Sequence, residues 1–257
     1  MSAVIAHPPG VFCWPELATT DTAAAARFYG ALFDWSASTR GKGSQGYTLF
    51  QIEGQNVSAA SRIPPQQADP TPRWNSYVSV ESVDEVAARA VALGGTVVAG
   101  PGEVGGAGRF TGIQDPTGAV VYAWQAREAI GAHRLNEPGC LCWTELISND
   151  VGAAEAFYTK LFGWSSQRHR FSEYVEFLRG DELAAGLLRT PPGRGGVGSH
   201  WLPYFAVTDV DDTVQVARRH FAKILGRPMD IPMVGRSAVL RDPLGATFGV
   251  FGVNQAA

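Results

Sequence analysis

The segment PGVFCWPELATTDTAAAARFYGALFDWS, running from Pro9 to Ser36, returns 129 residues later as PGCLCWTELISNDVGAAEAFYTKLFGWS, running from Pro138 to Ser165. A period of this size fixes the architecture before any local reading, because each copy must build the same structural unit. It also supplies an internal control: chemistry needed in both copies must leave the same residues in both.

The repeat sets the seam between Gln125 and Pro138, giving a first domain over 1–125, a linker over 126–137 and a second domain over 138–257. With 45% hydrophobic and 18% charged residues, each half has enough apolar material to build a core and carries no signature of disorder. A net charge of −3, with Lys and Arg scattered along the chain, argues against nucleic acid as a partner. No apolar run approaches the ~20 residues needed to cross a bilayer, and MSAVIAHPPG lacks the basic and apolar regions of an export signal, so a cytoplasmic location without membrane association is expected. Cys13, Cys140 and Cys142 are too few and too uneven for a disulfide framework, and the C-x-C pair has no second pair to complete a metal knuckle. Inside apolar strands they read as small buried hydrophobes.

Val11–Ala18 reads as a strand, and Asp21 as the N-cap of a helix running to about Asp34. Phe28, Tyr29, Leu32 and Phe33 form one apolar stripe, matched by Phe157, Tyr158, Leu161 and Phe162. Strands follow around Tyr47–Ile52 and Asn56–Ser61. Beyond a loop over Pro64–Pro72, a strand at Trp74–Val80, a helix at Val83–Leu93 and strands near Thr96, at Phe110–Gln114 and at Ala119–Gln125 run the same order again. The last two are joined by the turn Asp115-Pro116-Thr117-Gly118, and Gly-rich Gly100–Gly108 reads as a flexible loop. The later half copies this stretch with an offset of 127, so Trp74, Tyr77, Asp84 and Arg109 become Trp201, Tyr204, Asp211 and Arg236, and the turn becomes Asp242-Pro243-Leu244-Gly245. The fold class expected is α+β: four βαβββ modules paired two by two, each half a curved mixed sheet with helices on its convex face and a cup on the other. The loops Pro64–Pro72 and Pro191–Ser199 would border the cups, with Gly193–Gly198 either a mobile flap or a simple connector.

Asp21 leading into Arg27-Phe28-Tyr29 and Leu32-Phe33-Asp34-Trp35, its copy from Asp150 to Trp164, and both DPxG turns resemble the vicinal oxygen chelate superfamily, the glyoxalase, bleomycin-resistance and extradiol dioxygenase group. Within it the chain resembles the tandem-domain actinobacterial branch called glyoxalase-like or hydroxylase-like. The resemblance implies binding of a small organic molecule, and a monomer or a homodimer. It also implies three metal-ligand positions per half, which fall on Trp14, Asn75 and Tyr122 and on Trp143, Leu202 and Gly249. None carries a usual ligand for a divalent ion, so no cofactor is predicted, with nonstandard divalent-metal binding left as an alternative.

Alternation along a strand puts Glu16 on the face of Trp14, and Glu145 on that of Trp143. A carboxyl desolvated beside an indole is suited to acid/base work near neutral pH, with Glu16 and Glu145 as the catalytic candidates; alternatively they lie at the cup edge, or pair with Arg109 and Arg236 to hold the sheets. Trp14, Trp143, Trp74, Trp201, Tyr47, Tyr174 and Tyr122 are candidates to line a site for a flat ligand, although packing explains Trp74, Trp201, Tyr47 and Tyr174 as well. His200 is the mate of Arg73 and marks a difference between the cups, and His200, Glu145 and His169 form a conceivable metal triad, set against plain solvated histidines. The functional expectation is a metal-independent small-molecule-binding protein, working either as an isomerase, lyase or hydroxylase-type enzyme on an aromatic or polyketide-like metabolite, or as a drug- or toxin-sequestering protein. A metal-dependent lyase or dioxygenase is the third reading.

Overall fold

The computed structural model describes residues 4–40, 47–64, 69–168, 173–191 and 198–253. The first unit is β1 (Phe12–Thr19), α1 (Thr22–Phe33), β2 (Ser36–Arg40), β3 (Tyr47–Ile52) and β4 (Gln55–Arg62), and the second is β5 (Arg73–Ser79), α2 (Val83–Ala92), β6 (Thr96–Val104), β7 (Gly108–Gln114) and β8 (Val120–Ala126). The third is β9 (Leu141–Ser148), α3 (Val151–Phe162), β10 (Ser165–Arg168), β11 (Val175–Arg179) and β12 (Glu182–Arg189). The fourth is β13 (His200–Ala206), α4 (Val210–Arg219), β14 (Lys223–Ile224), β15 (Met229–Ile231), β16 (Gly235–Arg241) and β17 (Thr247–Val253). Units one and two share one mixed sheet in the order β2-β3-β4-β1-β5-β8-β7-β6, and units three and four a second in the order β10-β11-β12-β9-β13-β17-β16-β14. This is the α+β arrangement of repeated modules that the duplication predicts.

The helix starts follow from their caps. The Asp21 carboxylate accepts the amides of Ala23 and Ala24 at 3.0 and 2.9 Å, and Asp150 accepts that of Ala153 at 3.0 Å, satisfying donors that the first turn leaves free. Both helices end on a left-handed residue, Asp34 and Gly163. The Gly-rich stretch differs from its expectation as a loop. Gly100–Val104 completes β6, and β7 begins at Gly108, where the Trp124 ring lies across the backbone in the space a side chain would take.

The cores are built crosswise. Leu17, Phe28, Tyr29 and Phe33 of the first unit cluster with Phe205, Val214, Leu240 and Phe248 of the fourth, while Val78, Val86 and Ile113 of the second cluster with Leu146, Phe157, Tyr158 and Leu161 of the third. Each half therefore buries its helical face against the other half. The repeated Pro-Gly and Trp form a reciprocal clasp: Trp35 donates its indole N–H to the Gly139 carbonyl at 2.8 Å, and Trp164 donates to Gly10 at 3.0 Å. Gly10 and Gly139 have φ of 86° and 79°, and a Cβ on Gly10 would come within 3.1 Å of the Trp164 indole nitrogen.

Candidate functional site

On β1, Leu17 faces the helices and the core, so Trp14 and Glu16 project from the opposite face, and the same holds for Trp143 and Glu145 on β9. Register sets Glu16 between Ala59 of β4 and Asn75 of β5, and Glu145 between Gly186 of β12 and Leu202 of β13. The sheet face turned away from the helices, the expected cup of each half, therefore carries one carboxylate.

A relay of hydrogen bonds fixes each carboxylate. In the first cup the Trp14 indole donates to the Tyr47 hydroxyl at 3.1 Å, Tyr47 donates to Glu16 at 2.9 Å, and Ser61 donates to the other Glu16 oxygen at 2.8 Å. In the second, Trp143 donates to Tyr174 at 2.9 Å and Tyr204 donates to Glu145 at 3.0 Å, with the Tyr174 hydroxyl also against that carboxylate. Glu145 is only 8% exposed, and Glu16 is half-buried. Loss of solvation pushes both carboxyls above their ordinary pKa, against the opposing pull of the tyrosine and Ser61 hydrogen bonds. Burial, reinforced by the neighbouring carboxylate, pushes Tyr47, Tyr77 and Tyr204 far upward, so these phenols act as neutral donors.

Arg109 and Arg236 do not reach these carboxylates, which corrects the alternative that the glutamates pair with them. Arg109 pairs with Asp84 and Glu103, and Arg236 with Asp211 and Asp230, tying the starts of α2 and α4 to their own sheets. Trp74 and Trp201 are also placed away from the cups. They stand opposite Leu17 and Leu146 in register, are 6% and 5% exposed, and donate to Tyr29 and Tyr158 at 3.1 and 2.9 Å in the core.

The cups differ at the next strand. In the first, Tyr122 stacks on Tyr77 with ring centres 4.8 Å apart, and the Arg73 guanidinium lies against the Tyr122 hydroxyl. In the second, Gly249 replaces Tyr122, and the Tyr204 ring lies directly over it with no room for a Cβ. His200, the mate of Arg73, stands opposite Ile147, with Nδ1 2.9 Å from the Gly198 carbonyl. His169 lies outside the described residues, as do 65–68 and 192–197 of the two connecting loops. Asn75, Tyr122 and Trp14 occupy adjacent strands of one cup, and Leu202, Gly249 and Trp143 those of the other, so these positions supply an amide and a phenol but no imidazole, thiolate or carboxylate. Among the described residues, no three His, Cys, Asp or Glu side chains are grouped to hold a metal ion.

Sequence reasoning passed over Tyr77 and Tyr204, although both were visible as repeat mates two residues beyond Asn75 and Leu202. Ser61 had no such signal, since its counterpart is Leu188.

A family model described as the Glyoxalase/Bleomycin resistance protein/Dioxygenase superfamily matches residues 12–122 and 141–250. The chain is 39% identical over 242 residues to the putative glyoxylase CFP32 of Mycobacterium bovis, covering 92% of each. It is 33% identical over 264 residues to the anthracycline biosynthesis protein DauV of Streptomyces sp. strain C5, covering 96% of this chain and 95% of that one. Among solved structures it resembles the Mn(II)-bound glyoxalase of Novosphingobium aromaticivorans, with a TM-score of 0.65 and 17% identity, over 95% of this chain and 82% of that chain.

Proposed function

We propose that this chain, which belongs to the Glyoxalase/Bleomycin resistance protein/Dioxygenase superfamily, binds a flat, aromatic or polyketide-like metabolite in its cups without a metal and moves a proton on it. The observation that carries this reading is the Trp–Tyr–Glu relay kept in both halves. A carboxyl raised by desolvation and steered by phenol donors holds its proton more readily than an exposed one and is suited to general acid–base work. Two relatives named for anthracycline biosynthesis, DauV and DnrV, support the ligand class. The second cup is the better catalytic candidate, because it holds the Tyr204 ring alone where the first stacks Tyr77 on Tyr122, and Glu145 is the more deeply buried carboxylate. Glu145 would act as the acid/base, Tyr204 would orient it, and Trp143 and Tyr174 would wall the ligand, with His200 at the start of β13 marking the difference from the Arg73 cup. Metal independence rests on the Trp, Asn, Tyr, Leu and Gly residues at the six positions the superfamily resemblance assigns to ligands, none of which suits a divalent ion.

Titration with an anthracycline, followed by tryptophan quenching and native mass spectrometry, tests the binding. Product analysis of any ligand that binds then compares Glu145→Gln and Glu16→Gln. General acid–base catalysis contributes roughly 10²–10⁴-fold, so Glu145→Gln is expected to lose turnover on that scale while affinity moves less than about tenfold. Unchanged turnover in both variants would overturn the acid/base role. Binding without turnover in the wild type would favour sequestration. Near-stoichiometric Mn, Fe, Ni or Zn in the purified protein would overturn the metal-free reading.

A further inference from the structure

The two halves differ at a place beside the second cup, bordered by the Trp143 side of β9. Strands β9 and β12 pair in parallel only from Glu145 and Gly186 onward, and before that point they diverge. Their wedge holds a cavity of about 280 Å³, whose lining includes Cys142, Trp143, Thr144, Arg179, Leu183 and Ala184. In the first half β1 and β4 likewise pair only from Glu16 and Ala59. There the wedge is filled by residues 131–133, whose backbone bridges the two strands. The Ala132 amide donates to the Cys13 carbonyl and the His133 amide to the Asn56 carbonyl, both at 2.8 Å, and Ala132 is fully buried.

Cys142 and Leu183 are the repeat mates of Cys13 and Asn56, and both line the cavity. Ala184 stands where the first half has Val57, which removes two methyl groups, and Thr144 stands where it has Pro15, which brings in a hydroxyl. Thr144 is 2% exposed, and its hydroxyl has no hydrogen-bond partner; the Arg179 Nε is likewise buried and unpartnered. Such groups carry a desolvation cost that a bound polar ligand would relieve. At about 280 Å³ the cavity falls just below the ~300–1,000 Å³ of small-molecule pockets, and suits a short segment better than a polycycle.

We propose that this wedge binds an extended peptide segment of a partner chain, with small side chains and two successive free amides, in the manner in which residues 131–133 occupy the first half. The recognition is strand addition, with backbone carbonyls supplying affinity and the Ala184 side limiting side-chain size. Trp143 borders both this wedge and the second cup, but the recognition uses backbone groups and does not rest on the Glu145 relay.

The probe is the blocked peptide acetyl-Ile-Gly-Ala-His-Arg-amide, the sequence of residues 130–134, titrated into the intact protein and followed by NMR. Saturable one-to-one binding is expected at roughly millimolar strength or tighter, with shifts concentrated at residues 142–144 and 183–184. The same peptide methylated on the Ala and His amides is expected to bind at least tenfold more weakly, and Ala184→Leu to weaken the unmodified peptide comparably. Absence of saturation, shifts elsewhere, or indifference to amide methylation would overturn the proposal. The methylated peptide is compared on the wild-type protein, so its outcome does not depend on how the variant folds.

Discussion

A buried carboxyl whose pKa lies above its unfolded value binds its proton more tightly in the folded protein than in the unfolded chain. The stability it contributes is fully present below the unfolded pKa and is lost as pH rises through the folded one. Glu145 is such a group, raised by burial. Glu145→Gln removes this titration while keeping an oxygen that Tyr204 can donate to, so its melting temperature relative to wild type should be higher at about pH 8 than at about pH 4. Thermal melts across that range check it, and a difference independent of pH would count against the buried, proton-binding carboxyl. The Trp-x-Glu pairs were legible because strand alternation puts both side chains on one face wherever that face turns. Trp74 and Trp201 were not, because an indole at the start of a strand fits either face. Only the register against Leu17 and Leu146 turns them into the core.

At the scale of elements, the DPxG turns were legible as turns, but their partners were not. Asp242 accepts the amides of Leu244, Gly245 and Ala246 with one oxygen, at 2.7–2.9 Å, which locks the turn between β16 and β17. Its other oxygen accepts the Tyr29 hydroxyl of α1 at 2.9 Å, and Tyr29 in turn accepts the Trp74 indole. A turn of the fourth unit is thus tied to a helix of the first, a link across more than two hundred residues that no local pattern encodes. Tyr29→Phe would leave a buried carboxylate oxygen and a buried indole N–H without this partner, and is expected to lower unfolding free energy by roughly 2–4 kcal/mol. Urea denaturation measures this, and a loss under about 0.5 kcal/mol would show that the tie contributes little.

For the whole molecule, the duplication predicted two matched sheets but carried no mark of how they meet. An amphipathic helix records that one face is covered, not which half covers it. Here Phe33 packs on Phe205 at 5.1 Å, Phe28 on Phe248 at 6.2 Å, and Phe12 on Trp201 at 5.0 Å, each contact crossing between halves. Separating the halves would expose both helical faces and leave the Trp35 and Trp164 indoles without the Gly139 and Gly10 carbonyls. A polypeptide of residues 1–126 is therefore expected either to lack a cooperative melt or to self-associate, pairing its first unit with the second unit of another copy as a surrogate for the missing half. Sedimentation velocity combined with circular dichroism distinguishes these outcomes from an independent domain. A monomer that unfolds cooperatively near the melting temperature of the intact chain would mean that each sheet carries its own core, and that the crosswise clusters only dock preformed domains.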